Sequence, residues 1–296
     1  MDLTLSPEQE SLLTATADWC RDALPLDAVR HRPLSLWDDL EAMGYCAMTA
    51  LDMGLDHATE ALVFAELGRH LAPIGLLATA IGGRWVGPGR YALALPAHGK
   101  LRLFDPDNAT AAIGLWEDQA GLVLVPASAR GVPGLDLSAP MATLDIVLTP
   151  NPIDDPRAAL HLQLLTAAYA LGCAEAARDM AADYAKLREQ FDRPIGWFQS
   201  IKHMAADMAV RTEAARAQLC YAACALDDGA EDAAFHIAAV RRLAGDAAIA
   251  NGRVNIQIHG GIGMTDEASP HLCLKRAHLL SFIAPPSRAI LLGDTA

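Results

Sequence analysis

The sequence predicts a mostly α-helical protein that carries one small β domain in the middle of the chain. A long stretch at each end contains runs of residues without a helix breaker, and the stretch between them is rich in glycine and proline. Apolar residues make up 52% of the chain, but aromatic residues only 5%. The apolar content is therefore mostly alanine, leucine, isoleucine and valine, which favours helices that pack through small side chains.

Residues 1–82 are predicted to form an N-terminal helical domain. Ser6 is a suitable N-cap for the first helix, because Pro7 fits the first helical position and Glu8 places an acid in the first turn. Gly44 and Pro73 end the second and third helices. The predicted helices cover residues 7–24, 35–43 and 57–71.

Residues 83–152 are predicted to form a reduced middle β domain. Short apolar runs of strand length alternate here with glycine and proline. The predicted strands are Ala92–Leu95, Ala111–Leu115, Gly121–Val125 and Leu144–Leu148. A unit this small buries only a thin core, so we expect it to pack against the helices.

Residues 153–296 are predicted to form a C-terminal four-helix bundle. The apolar stripes and the short connections suit antiparallel helices, and Gly260 and Gly261 break the chain after the third of them. The predicted helices cover residues 158–189, 200–226, 231–258 and 266–280.

Charge and composition exclude several classes of function. The net charge of −13 argues against binding to nucleic acid or to an anionic membrane surface. No apolar run reaches membrane-spanning length, and the first 20 residues contain no basic signal region, so we expect a soluble, cytoplasmic protein. No metal site is expected. The six cysteines form no CxxC pair and are expected to be buried free thiols: Cys20, Cys46, Cys173, Cys220, Cys224 and Cys273.

Two loops between the C-terminal helices are candidate binding segments. Residues 188–199 combine cations, amide side chains and aromatic rings, which suits a planar anionic ligand but also a connection pinned by apolar residues. Residues 257–265 are rich in glycine, which suits anion binding by backbone N–H groups but also a plain helix C-cap. Neither loop decides the function by itself.

Together the two loops resemble the acyl-CoA dehydrogenase family. That family shows R-x-x-F-G-x-x-I-x-x-x-Q and, about sixty residues later, Q-x-x-G-G-x-G. The first pattern is matched by Arg188, Phe191, Ile195 and Gln199, with Asp192 in place of the usual glycine. The second is matched by Gln257, Gly260, Gly261 and Gly263. The stretches around residues 5–9, 36–44 and 66–73 also resemble the family, so the likeness covers nearly the whole chain.

The resemblance implies the family's fold, with an N-terminal helical domain, a middle β domain and a C-terminal four-helix bundle. It also implies FAD, an acyl-CoA substrate, and an electron-transfer flavoprotein that reoxidises the flavin. In the family a glutamate takes the α proton, the flavin takes the β hydride, and FAD lies at a subunit interface. The residues that would hold its ADP side are Arg188, Gln190, Phe191, Gln199, Gln257, Gly260 and Gly261.

The same resemblance indicates that the chain lacks its own catalytic half. Ala92–Ala97 replaces the family's flavin-contacting T-E-P-x-x-G-S-D stretch, and Ala284 aligns with the catalytic glutamate. Leu162 aligns with the base position used by some relatives. We therefore expect no catalytic residue here. Glu267 is expected to be a structural acid near a helix N-terminus. His161, His203 and His259 are expected to be ordinary core or interface histidines rather than catalytic bases.

These expectations combine into the hypothesis of a subunit in a hetero-oligomeric enzyme. The chain resembles the short subunit of α2β2 acyl-CoA dehydrogenases from steroid-degrading bacteria, whose second subunit would supply the base. The chain alone would be inactive, and the substrate would be a bulky CoA thioester. The alternatives are a non-enzymatic scaffold that stabilises a partner dehydrogenase without touching flavin, and a self-sufficient homo-oligomer with a relocated base.

Overall fold

The computed structural model describes residues 4–145, 148–286 and 288–293. Its first part is helical, as predicted: Ser6 caps the first helix, and a capping box joins its side chain to Gln9. The four helices are α1 Pro7–Ala23, α2 Leu36–Ala42, α3 His57–Arg69 and α4 Leu76–Trp85. The sequence did not predict α4, which continues past residue 82; the division into domains at 82/83 and 152/153 stays a proposal.

A seven-stranded sheet follows. Its strands are β1 Tyr91–Ala97, β2 Lys100–Phe104, β3 Ala111–Trp116, β4 Gln119–Leu124, β5 Arg130–Val132, β6 Met141–Leu144 and β7 Asn151–Pro152, in the order β5-β6-β2-β1-β3-β4-β7. All neighbouring pairs are antiparallel except β1 and β3. Three predicted strands correspond to β1, β3 and β4. The fourth, Leu144–Leu148, was placed too late because β6 ends at Leu144, and residues 146–147 lie outside the described residues.

The two faces of the sheet have different environments. Leu93, Phe104 and Ile113 pack into the main core together with the helices, whereas Ala92 and Leu103 belong to a separate cluster on the opposite face. Because alternate residues of a strand point to opposite faces, this division sets the direction of every side chain on β1 and β2. The face with Leu93 is called the helix-facing side below.

The C-terminal part is a bundle of four helices, as predicted: α5 Arg157–Leu187, α6 Gln199–Asp227, α7 Ala233–His259 and α8 Pro270–Phe282. A short helix, α9, spans Arg288–Leu292. The prediction started the fourth helix four residues too early, because Pro270 takes its first position, where proline is best tolerated. No helix among the described residues is long and apolar enough to cross a membrane.

Two glycines allow the N-terminal helices to lie directly on the bundle. A Cβ atom at Gly172 of α5 would lie 2.0 Å from the carbonyl oxygen of Ala65 on α3. One at Gly68 of α3 would lie 2.4 Å from the carbonyl oxygen of Tyr169 on α5. The two backbones therefore touch, and only glycine fits at these positions.

A buried polar cluster, called the junction below, joins the sheet region to the helices. Arg276 of α8 binds the Asp136 carboxylate at 2.6 Å, and it also donates to Ser138, to Tyr169 and to the carbonyl oxygen of Ala72. Arg276 is fully buried and Asp136 is 4% exposed. The sequence did not reveal this pair, since its members are 140 residues apart.

Candidate functional site

The two candidate loops meet at one end of the bundle. Helices α5 and α7 run in the same direction, because α6 is joined to each by a short connection and runs opposite to both. Their C-terminal ends are in contact: the rings of Tyr184 and His259 stack with centroids 4.1 Å apart and an interplanar angle of 23°. Residues 188–199 and 257–264 therefore lie side by side, and this region is called the bundle end.

The first loop is a tight β-hairpin formed by β8 Glu189–Gln190 and β9 Arg193–Pro194. Its two turn residues, Phe191 and Asp192, have φ angles of +56° and +59°. This geometry suits glycine, asparagine or aspartate at the tip, so aspartate is tolerated at position 192, where the family pattern has glycine. As a result the Phe191 ring points away from the core and is 82% exposed.

The hairpin is anchored to the bundle through backbone atoms of Arg188. The Arg188 N–H donates to the Tyr184 carbonyl oxygen at 2.8 Å, and the Arg188 carbonyl oxygen accepts from Ile195 at 2.8 Å. The Arg188 guanidinium is exposed and pairs with no acceptor among the described residues. The Gln190 side chain donates only to the carbonyl oxygen of Glu189, at 2.8 Å.

Helix α6 starts at the bundle end without a side-chain cap. Gln199 is its first residue and is exposed, and Phe198 at the N-cap position accepts no bond through its side chain. The free N–H groups and the helix dipole make this terminus favourable for an anion. Two cations contact the ring of Trp197, which lies just before α6 in the chain. The Arg193 guanidinium is 5.5 Å from the centre of this ring, and the Lys202 ammonium is 5.7 Å from it.

The second loop consists of the last turn of α7 and a 3-10 turn over Gly260–Met264. Gln257 is exposed, and Gly260 ends the helix with a φ of +67° that favours glycine. Gly263 is required for packing, because a Cβ there would lie 2.9 Å from that of His259. Gly261 faces open space, so nothing among the described residues of this chain requires glycine at that position.

A second candidate region is a cleft of about 490 Å³ between the helix-facing side of the sheet and α8. Leu95, Pro96 and Ala97 of β1 form part of one wall. Of the described residues that line the cleft, only Asp136 carries a carboxylate, and that carboxylate is bound by Arg276. The cleft therefore offers no free carboxylate from the described residues.

The comparisons with known proteins agree with this architecture. Residues 158–284 match the model of the acyl-CoA dehydrogenase C-terminal domain. Acyl-CoA dehydrogenase IpdE2 of Mycobacterium tuberculosis is 33% identical over 280 residues, which cover 87% of this chain and 84% of IpdE2. The chain belongs to the acyl-CoA dehydrogenase family.

Two solved structures share the fold over nearly the whole chain. One is the ChsE4-ChsE5 complex of Mycobacterium tuberculosis, with a TM-score of 0.73 and 21% identity over 95% of this chain and 94% of that chain. The other is a variant of the Tcur3481-Tcur3483 steroid acyl-CoA dehydrogenase, with a TM-score of 0.79 and 23% identity over 98% of both chains. The predicted fold class is confirmed, and FAD is the cofactor of this family of oxidoreductases.

The position at which the resemblance predicts the family's catalytic glutamate lies inside the protein. Ala284 is 4% exposed and has a φ of +44°. Its carbonyl oxygen accepts from Nε of Arg241 at 3.1 Å, and Arg241 also donates to the carbonyl oxygen of Ile283 at 2.7 Å. Burial lowers the pKa of Arg241 to about 10, and its acceptors are the backbone carbonyl oxygens that follow and end α8.

The alternative base position is also filled by structural groups. Leu162 is buried, and the neighbouring His161 is fully buried. Nδ1 of His161 accepts from the Trp85 indole at 3.1 Å, so its Nε2 carries the proton towards the Glu60 carboxylate, 2.5 Å away. This pair connects α5 to α3, as expected for a core histidine. Sequence reasoning missed Glu60, because nothing near it in the chain marks an acid as buried.

The other acid, histidines and cysteines singled out in the sequence differ in how exposed they are. Glu267 was expected to be a structural acid near a helix N-terminus. It is exposed and precedes α8, which begins at Pro270, so its structural role stays a prediction. His203 is exposed on α6, so it is not a core histidine, whereas His259 is half-buried and its pKa is lowered by burial. All six cysteines are free, but only Cys20, Cys173 and Cys273 are buried.

Proposed function

We propose that this chain is one subunit of a hetero-oligomeric, FAD-dependent acyl-CoA dehydrogenase. It would contribute the ADP side of the FAD site, and a second chain would supply the catalytic base and the pocket for the isoalloxazine ring. One observation carries the proposal: the chain presents exposed cationic, amide and aromatic side chains at the bundle end, while Ala284 is buried at the predicted base position.

The bundle end suits a diphosphate joined to a flat base. The exposed guanidinium of Arg188 and the uncapped start of α6 would bind the pyrophosphate. Gln190 and the exposed ring of Phe191 would line the adenosine, where a planar base needs stacking and hydrogen bonding. Gln199 would donate to the same group, and Gln257 would close the site with Gly260 and Gly261, which leave room for a close backbone approach.

The chain's own cleft does not suit the reactive half of the cofactor. Ala92 and Ala94 are buried within β1, and Leu95, Pro96 and Ala97 place no side-chain hydroxyl or carboxylate on the wall. Abstraction of an α proton from a thioester requires a positioned base, and Ala284 cannot serve as one. We therefore assign the base, and with it the desaturation step, to the partner subunit.

Exposed apolar side chains at the bundle end support a covering partner. They are large, they adjoin the proposed FAD-binding residues, and they are at least 42% exposed: Leu187, Phe191, Trp197, Ile262 and Met264. An exposed apolar patch that is bordered by polar groups is typical of a protein interface. The partner proposed here is the catalytic acyl-CoA dehydrogenase subunit, and an electron-transfer flavoprotein would reoxidise the flavin of the complex.

The names of the similar proteins support the assembly and the substrate class. The ChsE4-ChsE5 structure is described as a complex, and the Tcur3481-Tcur3483 structure as a steroid acyl-CoA dehydrogenase. By analogy we propose a bulky, steroid-derived CoA thioester as the substrate of the complex. This assignment rests on similarity rather than on residues of this chain.

The visible absorbance spectrum tests the proposal. The chain is purified alone and then together with the acyl-CoA dehydrogenase subunit encoded beside its gene, and flavin is quantified per chain in both samples. We expect flavin only in the co-purified sample. A full complement of FAD in the chain alone would overturn the half-site assignment. A partner that holds its full flavin and activity without this chain would instead support the scaffold alternative.

A further inference from the structure

A pair of stacked rings lies beneath the two loops of the bundle end. The ring of Tyr184, in the last turn of α5, stacks on the ring of His259, the last residue of α7, with centroids 4.1 Å apart. The carbonyl oxygen of Tyr184 accepts from the N–H of Arg188, where the first loop begins. In the second loop, a Cβ at Gly263 would lie only 2.9 Å from the Cβ of His259. Each ring therefore belongs to a residue that supports one of the two loops.

The orientation of the His259 ring is fixed by its own helix. Its Nδ1 donates to the carbonyl oxygen of Asn255 at 2.9 Å, and Nδ1 carries the proton because a carbonyl oxygen can only accept. Asn255 is fully buried, so this acceptor does not move with the surface. A ring that is bonded at its edge and stacked on its face offers Tyr184 a fixed surface.

Within the part of the chain that the structure describes, no hydrogen bond or ion pair joins residues 188–199 to residues 257–264. Further inside the bundle, the Asn251 amide of α7 donates to the carbonyl oxygen of Ala174 on α5 at 3.2 Å. Ala174 lies about 15 Å of helix away from Tyr184, so this bond does not hold the helix ends together. The stacked rings are therefore the specific contact that couples the two loops.

The spacing of the loops matters for a ligand that is held from both sides. The proposed FAD half-site takes Arg188 and Phe191 from the first loop and Gln257 from the second. Groups that bind one ligand together must be held to within about 0.5 Å by neighbours that are themselves locked in place.

We infer that Tyr184 and His259 are a positioning pair for the bundle end. Their stacked rings set the distance between the two loops, so that both loops can bind one diphosphate-adenosine unit at the same time. Neither ring has to contact the cofactor. The role of the pair in cofactor binding rests on the function proposed above, whereas the coupling between the loops is a property of this chain alone.

The rate at which the co-purified complex loses FAD tests the pair. Tyr184→Leu and His259→Leu should each speed this loss by about threefold to tenfold, which corresponds to one aromatic contact. The double variant should lose FAD about as fast as either single variant, because one substitution already removes the stack. Tyr184→Phe keeps the ring and should retain FAD like the unmodified complex. Dilution of the complex, followed by the rise of flavin fluorescence, measures these rates.

The matched control is Tyr221→Leu. Tyr221 of α6 packs on His236 of α7 with ring centroids 4.4 Å apart, at the opposite end of the bundle. The substitution removes a similar contact between two bundle helices. In urea denaturation we expect Tyr184→Leu and Tyr221→Leu to lower the midpoint to a similar extent, while only Tyr184→Leu speeds the loss of FAD.

Amide hydrogen exchange of the chain alone gives a readout that does not depend on FAD. The Ile195 N–H donates to the carbonyl oxygen of Arg188 within the first loop. His259→Leu changes only the other helix, yet it should speed exchange of this amide by about threefold or more. Tyr221→Leu should leave this exchange unchanged. Equal exchange at Ile195 in the two variants would overturn the positioning pair.

The combined results separate the pair from the FAD half-site. If Arg188→Ala releases FAD while Tyr184→Leu and His259→Leu behave like Tyr221→Leu, the half-site stands and the positioning pair is wrong. If His259→Leu speeds exchange in the first loop but no variant releases FAD, Arg188→Ala included, the pair couples the loops and the proposed function is wrong.

Discussion

The junction and the bundle end are both polar clusters built around an arginine, and they differ in how their hydrogen bonds are satisfied. At the junction, Arg276 is fully buried and its donors meet Asp136, Ser138, Tyr169 and a backbone carbonyl oxygen. At the bundle end, the Arg188 guanidinium is exposed and pairs with nothing among the described residues. Paired polar groups hold a chain together, whereas unpaired exposed ones are available to a ligand.

The largest effect on stability is expected from Arg276→Met. The substitution leaves the Asp136 carboxylate buried without its partner, which costs about 3–5 kcal/mol of unfolding free energy. Urea denaturation followed by circular dichroism measures this loss. Arg242→Met is the control, since Arg242 and Asp246 are both exposed and a surface ion pair contributes about 0–1 kcal/mol.

A double variant keeps this test decisive if Arg276→Met does not fold. Combining it with Asp136→Asn removes the buried charge and should recover part of the lost stability. An unchanged denaturation midpoint in Arg276→Met would show that the junction does not hold the sheet to the helices.

A smaller loss is expected from Tyr169→Phe. The Tyr169 hydroxyl donates to the carbonyl oxygen of Ala72 and accepts from Arg276, so its removal leaves one buried donor unpaired. We expect a loss of about 1–2 kcal/mol in the same denaturation experiment. The exposed Tyr221→Phe is a suitable control. Equal stability of the two variants would mean that Arg276 and Asp136 stabilise the junction without a contribution from the Tyr169 hydroxyl.

Acid should weaken the junction selectively. Burial by itself raises the pKa of Asp136. The charge and the hydrogen bond of Arg276 together lower this pKa by more than burial raises it, so the pKa lies below its ordinary value. A carboxyl whose pKa is lower in the folded state stabilises the protein above its unfolded pKa of about 3.9 and loses that contribution as the pH falls further. The stability difference between the unmodified chain and Asp136→Asn should therefore be constant above about pH 5 and shrink below pH 4. A difference that does not change with pH would contradict the ionic description.

At the bundle end, a substitution should change FAD binding strongly and stability only slightly. Arg188→Ala removes an exposed, unpaired side chain, so the unfolding free energy should change by less than about 0.5 kcal/mol. Under the proposed function, the FAD content of the co-purified complex should fall by about tenfold or more, because a charged contact to phosphate is lost. Arg242→Ala is the control. Full flavin in the Arg188→Ala complex, with assembly intact, would favour the scaffold alternative.

The helical framework could be predicted closely because its signals are local. Ser6 caps a helix through its side chain, and Pro7 has the fixed φ that suits the first helical position. Gly44 and Gly260 end helices with positive φ angles, which glycine adopts because it lacks a Cβ atom. Helix α4 was missed because glycine and proline surround it, and it is stabilised by burial between the other elements. Three short strands were missed for a similar reason: β2, β5 and β7 form only where a neighbouring strand offers hydrogen bonds.

The sequence by itself determined the family, the helical framework and the absence of a carboxylate at position 284, because these depend on residue identity and local spacing. Only the tertiary structure decided which polar groups are paired. Arg188 and Arg276 look alike in the sequence, yet one is exposed at a hairpin and the other is enclosed 140 residues away from its carboxylate partner. Burial and pairing depend on contacts between distant segments, and such contacts exist only in the folded chain.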